Sequence, residues 1–413
     1  MTELATSSTS RPRSRLICVV AFGVFILLWI SAWSWNDGSQ LILPGPSNEP
    51  EKDKSTVLPL PSNTTALCTP NSFNIGRWQY KPIELSSQTP GAVEQAVGYH
   101  CPWSFAHKCY QRTEEKGEFE RSKKIIEYQW KPSSCALAPM DERAMARHFK
   151  NHPLLLVGDS ITQLQFESLW CFLGLDMTSP KRDTNLTGGR PDMWVSQLVH
   201  TDLVDTDAVS LAYLRSDYLV RLDDFKIMDP LDDEGYLIGK GSNFPWVHAL
   251  PRFDYIMINT GPHWHPDLKW GPQRTREELL EAYSKAMDVV FKYLKEHVQS
   301  HQRVWIRSTP YGHAKCSKYK APLKYPQAPT GKPGEYEWDM LEKFDMVWKN
   351  WIEQENDERF FFFNVSLSNL RGDAHSRPDS DCLHTCIPGP VDDWNKLLYS
   401  ELAKLSAGIT LTS

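Results

Sequence analysis

Five short apolar runs set the frame for this chain: Leu154–Val157, Ala208–Arg215, Tyr255–Asn259, Val304–Ile306 and Phe360–Phe363. Each reads as a strand, and the stretches between them carry helical periodicity. The clearest spans residues 275–298, where Leu279, Leu280, Tyr283, Met287, Val290, Leu294 and Val298 recur at helical spacing among Glu and Lys. Residues 162–173, 337–354 and 391–405 are the other expected helices. Strands alternating with helices imply a mostly parallel sheet covered on both faces. Such a sheet keeps its working residues at the carboxyl ends of its strands, where Ser160, Asn259 and the loop after Phe363 fall.

Gly158-Asp159-Ser160 follows the first run directly, and Asp381-Cys382-Leu383-His384 precedes the last helix. A serine hydroxyl is a weak nucleophile until a base takes its proton, and the base works best when a third group holds its ring. Ser160 is the candidate nucleophile, His384 the base and Asp381 the orienting carboxylate, while Asp159 is read as structural. A serine delivered onto a turn at a helix N-terminus also has backbone N–H groups and a positive dipole near a developing oxyanion. The backbone N–H of Ser160 and the side chain of Asn259 are the expected oxyanion hole. Each tripeptide alone is common. Their order adds the specificity: strand, Gly-Asp-Ser and helix, then Asn-Thr-Gly, then Asp-x-x-His.

Residues 16–35 carry no charge and are long enough to cross a bilayer as a helix. Arg11, Arg13 and Arg15 precede them, Asp37, Glu49 and Glu51 follow, and Trp29, Trp33 and Trp35 gather at the far end. A type II membrane protein is expected, with residues 1–15 cytoplasmic and 16–35 as the anchor. The competing cleaved signal peptide lacks a convincing small-x-small site before the tryptophans. Residues 36–67, rich in Pro, Ser, Asn and charge, read as a disordered stem. Residues 68–150 read as an irregular, cysteine-rich flap, 151–405 as the catalytic domain and 406–413 as a tail.

Cys18 lies in the span, whereas Cys68, Cys101, Cys109, Cys135, Cys171, Cys316, Cys382 and Cys386 all lie beyond it. An even set in an oxidising compartment is expected to form disulfides, with the connectivity open. Zinc at Cys382, His384 and Cys386 is the weaker reading, because no second close cysteine pair exists. Sequons at Asn63, Asn185 and Asn364 suit glycosylation in the secretory route. The net charge of −6 and the lack of a basic stripe argue against a nucleic-acid partner.

Gln163, Arg215, His263, Trp264 and Arg307 are candidate substrate contacts, and His313 is placed near the mouth. Each has a plainer reading as an ion pair, a hydrogen bond or core. His263 and His265 lack a third ligand, so no metal is expected. Arg371-Gly372-Asp373 matches an adhesion tripeptide and is read as a turn.

Taken together, these motifs resemble the SGNH/GDSL hydrolases and, more closely, the trichome birefringence-like proteins of the PC-esterase group. The likeness is carried by Cys68 to Trp78, Cys101-Pro102-Trp103, Trp130-Lys131-Pro132 with Cys135, and Gly158-Asp159-Ser160 through Cys171. It continues in Arg215-Ser216 with Leu219-Val220, in Asn259-Thr260-Gly261, and in Asp381-Cys382-x-His384-x-Cys386-x-Pro388-Gly389 with Trp394-Asn395. The resemblance implies an SGNH-like α/β/α sandwich with a disulfide-tied N-terminal flap, in a Golgi enzyme that moves acetyl groups onto polysaccharide hydroxyls. It implies no bound cofactor but an acetyl donor, either acetyl-CoA or a donor supplied by a membrane partner. Plant members read Gly-Asp-Ser-x-x-Arg-Asn-Gln and place Trp after the catalytic His, where this chain has Gln163-Leu164-Gln165 and Thr385. The triad survives both changes, so they bear on the acceptor. A glycan acetyl esterase using the same triad and a non-catalytic glycan-binding protein are the alternatives, and the intact Ser160, Asp381 and His384 argue against the second.

Overall fold

The computed structural model describes residues 57–60, 66–101, 105–190, 193–222, 245–265, 273–331 and 337–411. The expected anchor, most of the stem and the Asn63 sequon lie outside the described residues. Among the described residues, no helix is long and apolar enough to cross a membrane. The N-terminal segment holds α1 (Pro70–Phe73), β1 (Gly76–Tyr80), α2 (Pro90–Val97), α3 (Glu118–Ile126), β2 (Tyr128–Pro132) and α4 (Glu142–Asn151). Then come β3 (Leu154–Gly158), α5 (Ser160–Leu173), β4 (Met177–Thr178), β5 (Val195–His200), β6 (Leu211–Arg215), β7 (Tyr255–Ile258) and α6 (Arg276–His297). The chain continues with β8 (Arg303–Arg307), α7 (Leu341–Glu355), β9 (Phe360–Phe363), β10 (His375–Arg377), β11 (Asp381–Thr385) and α8 (Pro390–Ser406).

The main sheet runs β4-β5-β6-β3-β7-β8-β9. The five strands from β6 to β9 are parallel and coincide with the five apolar runs. All five residues of β3 are buried, so both faces of the sheet's centre are covered. Helices α4, α5 and α8 pack on one another, as do α6 and α7. In the second set the rings of Tyr283 and Phe344 stack at 4.2 Å and those of Phe291 and Trp351 at 4.5 Å. The chain leaves β3 in one direction through α5 toward β6, and runs from β7 in the other through α6 and α7. Right-handed crossovers in opposite directions place their helices on opposite faces. The result is an α/β/α sandwich with its switch point at the carboxyl end of β3.

Two departures from the expected elements have local causes. Strands β4 and β5 add an antiparallel edge, which escapes notice because Ser196 and Gln197 interrupt the apolar run and only the last three residues of β5 are buried. Among its described residues, the segment expected to be irregular contains an antiparallel β1–β2 pair and four α-helices. The last of these, α4, is capped by Asp141, which accepts the Ala144 N–H at 2.8 Å, and it buries Ala144, Met145, Ala146, His148 and Phe149. It did not stand out because it is only ten residues long and its buried face is made largely of Ala and His.

Four disulfides tie this segment and the late loops together: Cys68–Cys135, Cys101–Cys171, Cys109–Cys386 and Cys316–Cys382. The N-terminal flap is thus fixed to α5 and to the loop behind β11, and the cysteines flanking His384 are both committed. Arg371 is also committed. It is buried, donates to Asp373 at 3.0 Å and lies over the Trp78 ring at 4.4 Å, so the adhesion-like tripeptide is core packing around a short turn.

Candidate active site

Gly158 ends β3 where no side chain fits, since a Cβ there would stand 2.6 Å from the Asn259 carbonyl oxygen and 2.5 Å from Thr162 Oγ1. Asp159 is buried and caps α5, its Oδ1 accepting the Ile161 N–H at 2.9 Å. The Tyr213 hydroxyl donates to the Asp159 carbonyl at 3.1 Å and fixes the turn from the neighbouring strand. Ser160 is the first residue of the helix. First-turn N–H groups have no partner within a helix. With that of Ile161 held by Asp159, the Ser160 N–H is the backbone donor beside its own hydroxyl.

His384 and Asp381 both lie on β11, in a hairpin with β10. His384 Nε2 is 2.7 Å from Ser160 Oγ, and His384 Nδ1 is 2.7 Å from Asp381 Oδ2. The second carboxylate oxygen accepts the N–H groups of Leu383 at 3.0 Å and His384 at 3.1 Å. Burial pushes the Asp381 carboxyl up, but the hydrogen bond and charge of His384 and these two N–H groups outweigh it and hold the acid well below its usual range. The aspartate is therefore ionised and holds the ring with Nε2 toward the serine.

The other expected site residues divide. Asn259 is 1 % exposed, and its Nδ2 donates to the Arg307 carbonyl at 2.9 Å and to Thr309 Oγ1 at 2.7 Å. Both amide hydrogens are engaged at the end of β8 and just beyond it, so in this structure the side chain expected in the oxyanion hole ties the two strand ends. Arg307 is also buried, donating to Thr162 Oγ1 at 3.0 Å with its guanidinium 4.8 Å over the Trp394 ring. Trp264 is fully buried, donates to Thr260 Oγ1 at 3.0 Å and meets Tyr283 edge-on. Neither side chain is open to solvent. His313 is buried behind the hairpin, with Nδ1 2.8 Å from His375 Nε2.

Arg215, His263 and Gln163 sit closer to the open side. Arg215, paired in register with Gly158, holds Asp217 at 2.9 Å and lies 4.9 Å over the ring of Trp194, which is 44 % exposed. His263 Nε2 is 3.6 Å from Asp217 Oδ2. Gln163 donates to Glu167 Oε1 at 2.8 Å. Asn185 is exposed and Asn364 half-buried. Among the described residues, the one grouping with metal-like spacing is Cys109, Glu118 and Cys386, and its two sulfurs are bonded to each other.

One neighbour of the triad escaped sequence reasoning. The ring of His107, in the flap, stacks on that of His384 at 5.2 Å and 21°. The available signal was its position two residues before Cys109, but nothing in the sequence pairs Cys109 with Cys386.

A family described as GDSL/SGNH-like acyl-esterases, PC-esterase, found in Pmr5 and Cas1p, matches residues 137–401. Protein trichome birefringence-like 38 of Arabidopsis thaliana is 24% identical over 305 residues, covering 68% of this chain and 74% of its own length. Protein trichome birefringence-like 13 of the same plant is 22% identical, covering 98% of this chain and all of its own length (100%). Among solved structures, the acetylxylan esterase Axe2 of Geobacillus stearothermophilus aligns with a TM-score of 0.28 and 11% identity, over 64% of this chain and 98% of that one.

Proposed function

This chain belongs to the PC-esterase family of GDSL/SGNH-like acyl-esterases, and from that premise we propose that it is a polysaccharide O-acetyltransferase working through an acetyl-Ser160 intermediate. The observation that carries the reading is the unbroken relay from Asp381 through His384 to Ser160, with both contacts at 2.7 Å. In the first half-reaction Ser160 Oγ attacks the carbonyl carbon of an acetyl donor while His384 Nε2 takes its proton. The donor's leaving group departs with that proton. In the second, a sugar hydroxyl gives its proton to His384 and attacks the acetyl carbon, and the Ser160 oxygen leaves and is reprotonated. The Ser160 N–H and the helix dipole face the oxyanion formed in each half. Water in place of the sugar gives hydrolysis, so transfer requires an acceptor held in place and water kept out.

The proposed setting is the Golgi lumen, with residues 16–35 as a type II anchor. Four disulfides suit an oxidising compartment. Acetyl-CoA or a membrane partner would supply the acetyl group, and a glycan would accept it. The test uses the chain from about residue 57, with its bridges formed, beside Ser160→Ala. A labelled activated acetyl ester is offered with and without deacetylated xylan or mannan oligosaccharides, and label is followed on protein, sugar and water by mass spectrometry. Label passing from Ser160 to sugar is the expected result. Label released only to water would make the chain an esterase, and label independent of Ser160 would end the triad reading.

A further inference from the structure

The two hydrogen bonds that hold His384 act in the plane of its ring. Asp381 Oδ2 and Ser160 Oγ grip the ring at opposite nitrogens, so against small tilts out of that plane the hydrogen bonds add little to the Cβ tether. Midway through the proposed reaction the restraint is weaker still. Once Ser160 carries an acetyl group its hydroxyl proton is gone, and only Asp381 holds the ring that must meet the incoming hydroxyl. Contact on the face of the ring would then decide where Nε2 points.

His107 supplies that face, and it is itself fixed on three sides. Its Nδ1 is 2.8 Å from Ser376 Oγ on β10, and its carbonyl accepts the Ile387 N–H at 2.9 Å. Two residues on, Cys109 is bonded to Cys386, two residues past His384. Ser376 is buried, and its carbonyl accepts from Arg112. We propose that His107 is a positioning residue for the catalytic base, holding the His384 ring in the plane that joins Asp381 to Ser160 and aiming it during the second half-reaction. The inference rests on the acyl-serine reading above. Burial first, and the charge of His384 second, push His107 down to about 4. The supporting ring therefore stays neutral beside the one that takes up the proton.

A merely structural flap residue would alter the amount of folded protein and treat both half-reactions alike. A positioning residue slows the second more than the first. The experiment compares wild type, His107→Ala, His107→Phe and Ser376→Ala. Ser160 labelling by a fluorophosphonate reports on the activated serine, and single-turnover mass spectrometry follows the decay of acetyl-Ser160. Thermal unfolding and non-reducing peptide maps confirm the fold and the Cys109–Cys386 bridge. In His107→Ala, acetyl-Ser160 should decay about tenfold more slowly, with labelling slowed by no more than about threefold. His107→Phe, which keeps a flat ring but not the bond to Ser376, should restore decay to within about threefold of wild type. Unchanged decay in His107→Ala, or a Phe variant no faster than Ala, would overturn the proposal. Should His107→Ala fail to fold, Ser376→Ala decides: decay slowed about threefold supports the stack, and unchanged decay refutes it. A wild-type chain that never labels at Ser160 removes the triad reading itself, and this inference with it.

Discussion

Asp381 and Gly158 show how much of the site rests on single atoms. Asp381 fixes the tautomer of His384 through one contact of 2.7 Å, and an amide in its place can present a donor to the same nitrogen. Asp381→Asn should therefore lower kcat about 10³- to 10⁴-fold with KM little changed, measured as hydrolysis of an acetyl ester. The folded-state acid is depressed below its unfolded value, so its contribution to stability is present above about pH 4 and is lost only as pH falls toward the folded value. At neutral pH the loss in the Asn variant belongs to geometry. Gly158→Ala tests the other end of the relay. The added methyl would meet the Asn259 backbone oxygen at 2.6 Å, and strand β7 must move to admit it. A loss of about 1–3 kcal/mol is expected, read as a lower Tm, together with slower labelling of Ser160. Ser160, Asp381 and His384 were legible because each sits in a short motif beside an element end. Asn259, Arg307 and Trp264 were not, because which way a polar side chain turns at a strand end depends on strands far away in sequence. Asn259 turns to Arg307 at the end of the next strand and to Thr309 just beyond it, and no local pattern records that.

Among the elements, the five parallel strands and the four long helices were readable because each is a run with one dominant period. The β10–β11 hairpin was hidden, since its residues are chosen for chemistry: Asp381, Cys382, His384 and Thr385 break the apolar alternation that marks a strand. Disulfides do for this hairpin what apolar burial does for the sheet, and two of them separate support of the site from support of the fold. Cys109–Cys386 closes 277 residues and binds the flap to the His384 loop, whereas Cys68–Cys135 closes 67 and lies within the N-terminal segment. In the chain-entropy account the longer closure stabilises by about 1 kcal/mol more. Replacing Cys109 and Cys386 together by Ala should lower Tm more than replacing Cys68 and Cys135 together. Only the first pair should slow acetyl transfer per fluorophosphonate-titrated site, because only it loosens His107 against His384. Equal turnover per site in the two double variants would show that the flap merely covers the fold.

At the scale of the whole molecule, the doubly wound fold that sets Ser160 at its switch point also buries carboxyl groups. Glu167 on α5 and Asp392 on α8 are buried between helices, and Asp217 follows β6. Burial comes first among the causes for all three, and it pushes Glu167 up to about 7 and Asp217 and Asp392 up to about 6. A carboxyl raised in the folded state keeps its proton after the unfolded chain has lost its own, so the folded chain binds more protons between the two values. Stability then falls as pH rises through that window, from about 4 to about 7. These carboxyls favour pH 5 over pH 8, whereas burial pushes His107 down to about 4 and His375 to about 3, so those rings give up protons on folding and favour the higher pH. A single-site variant separates the two contributions. Glu167→Gln isolates one contributor, since it preserves shape and a partner for Gln163 while removing the titration. Its Tm should match that of wild type near pH 5 and exceed it by several degrees at pH 8. Parallel curves for the two proteins would mean that Glu167 binds no extra proton in the folded chain, and that any slope arises from other buried groups such as Glu401, Asp217 and Asp392.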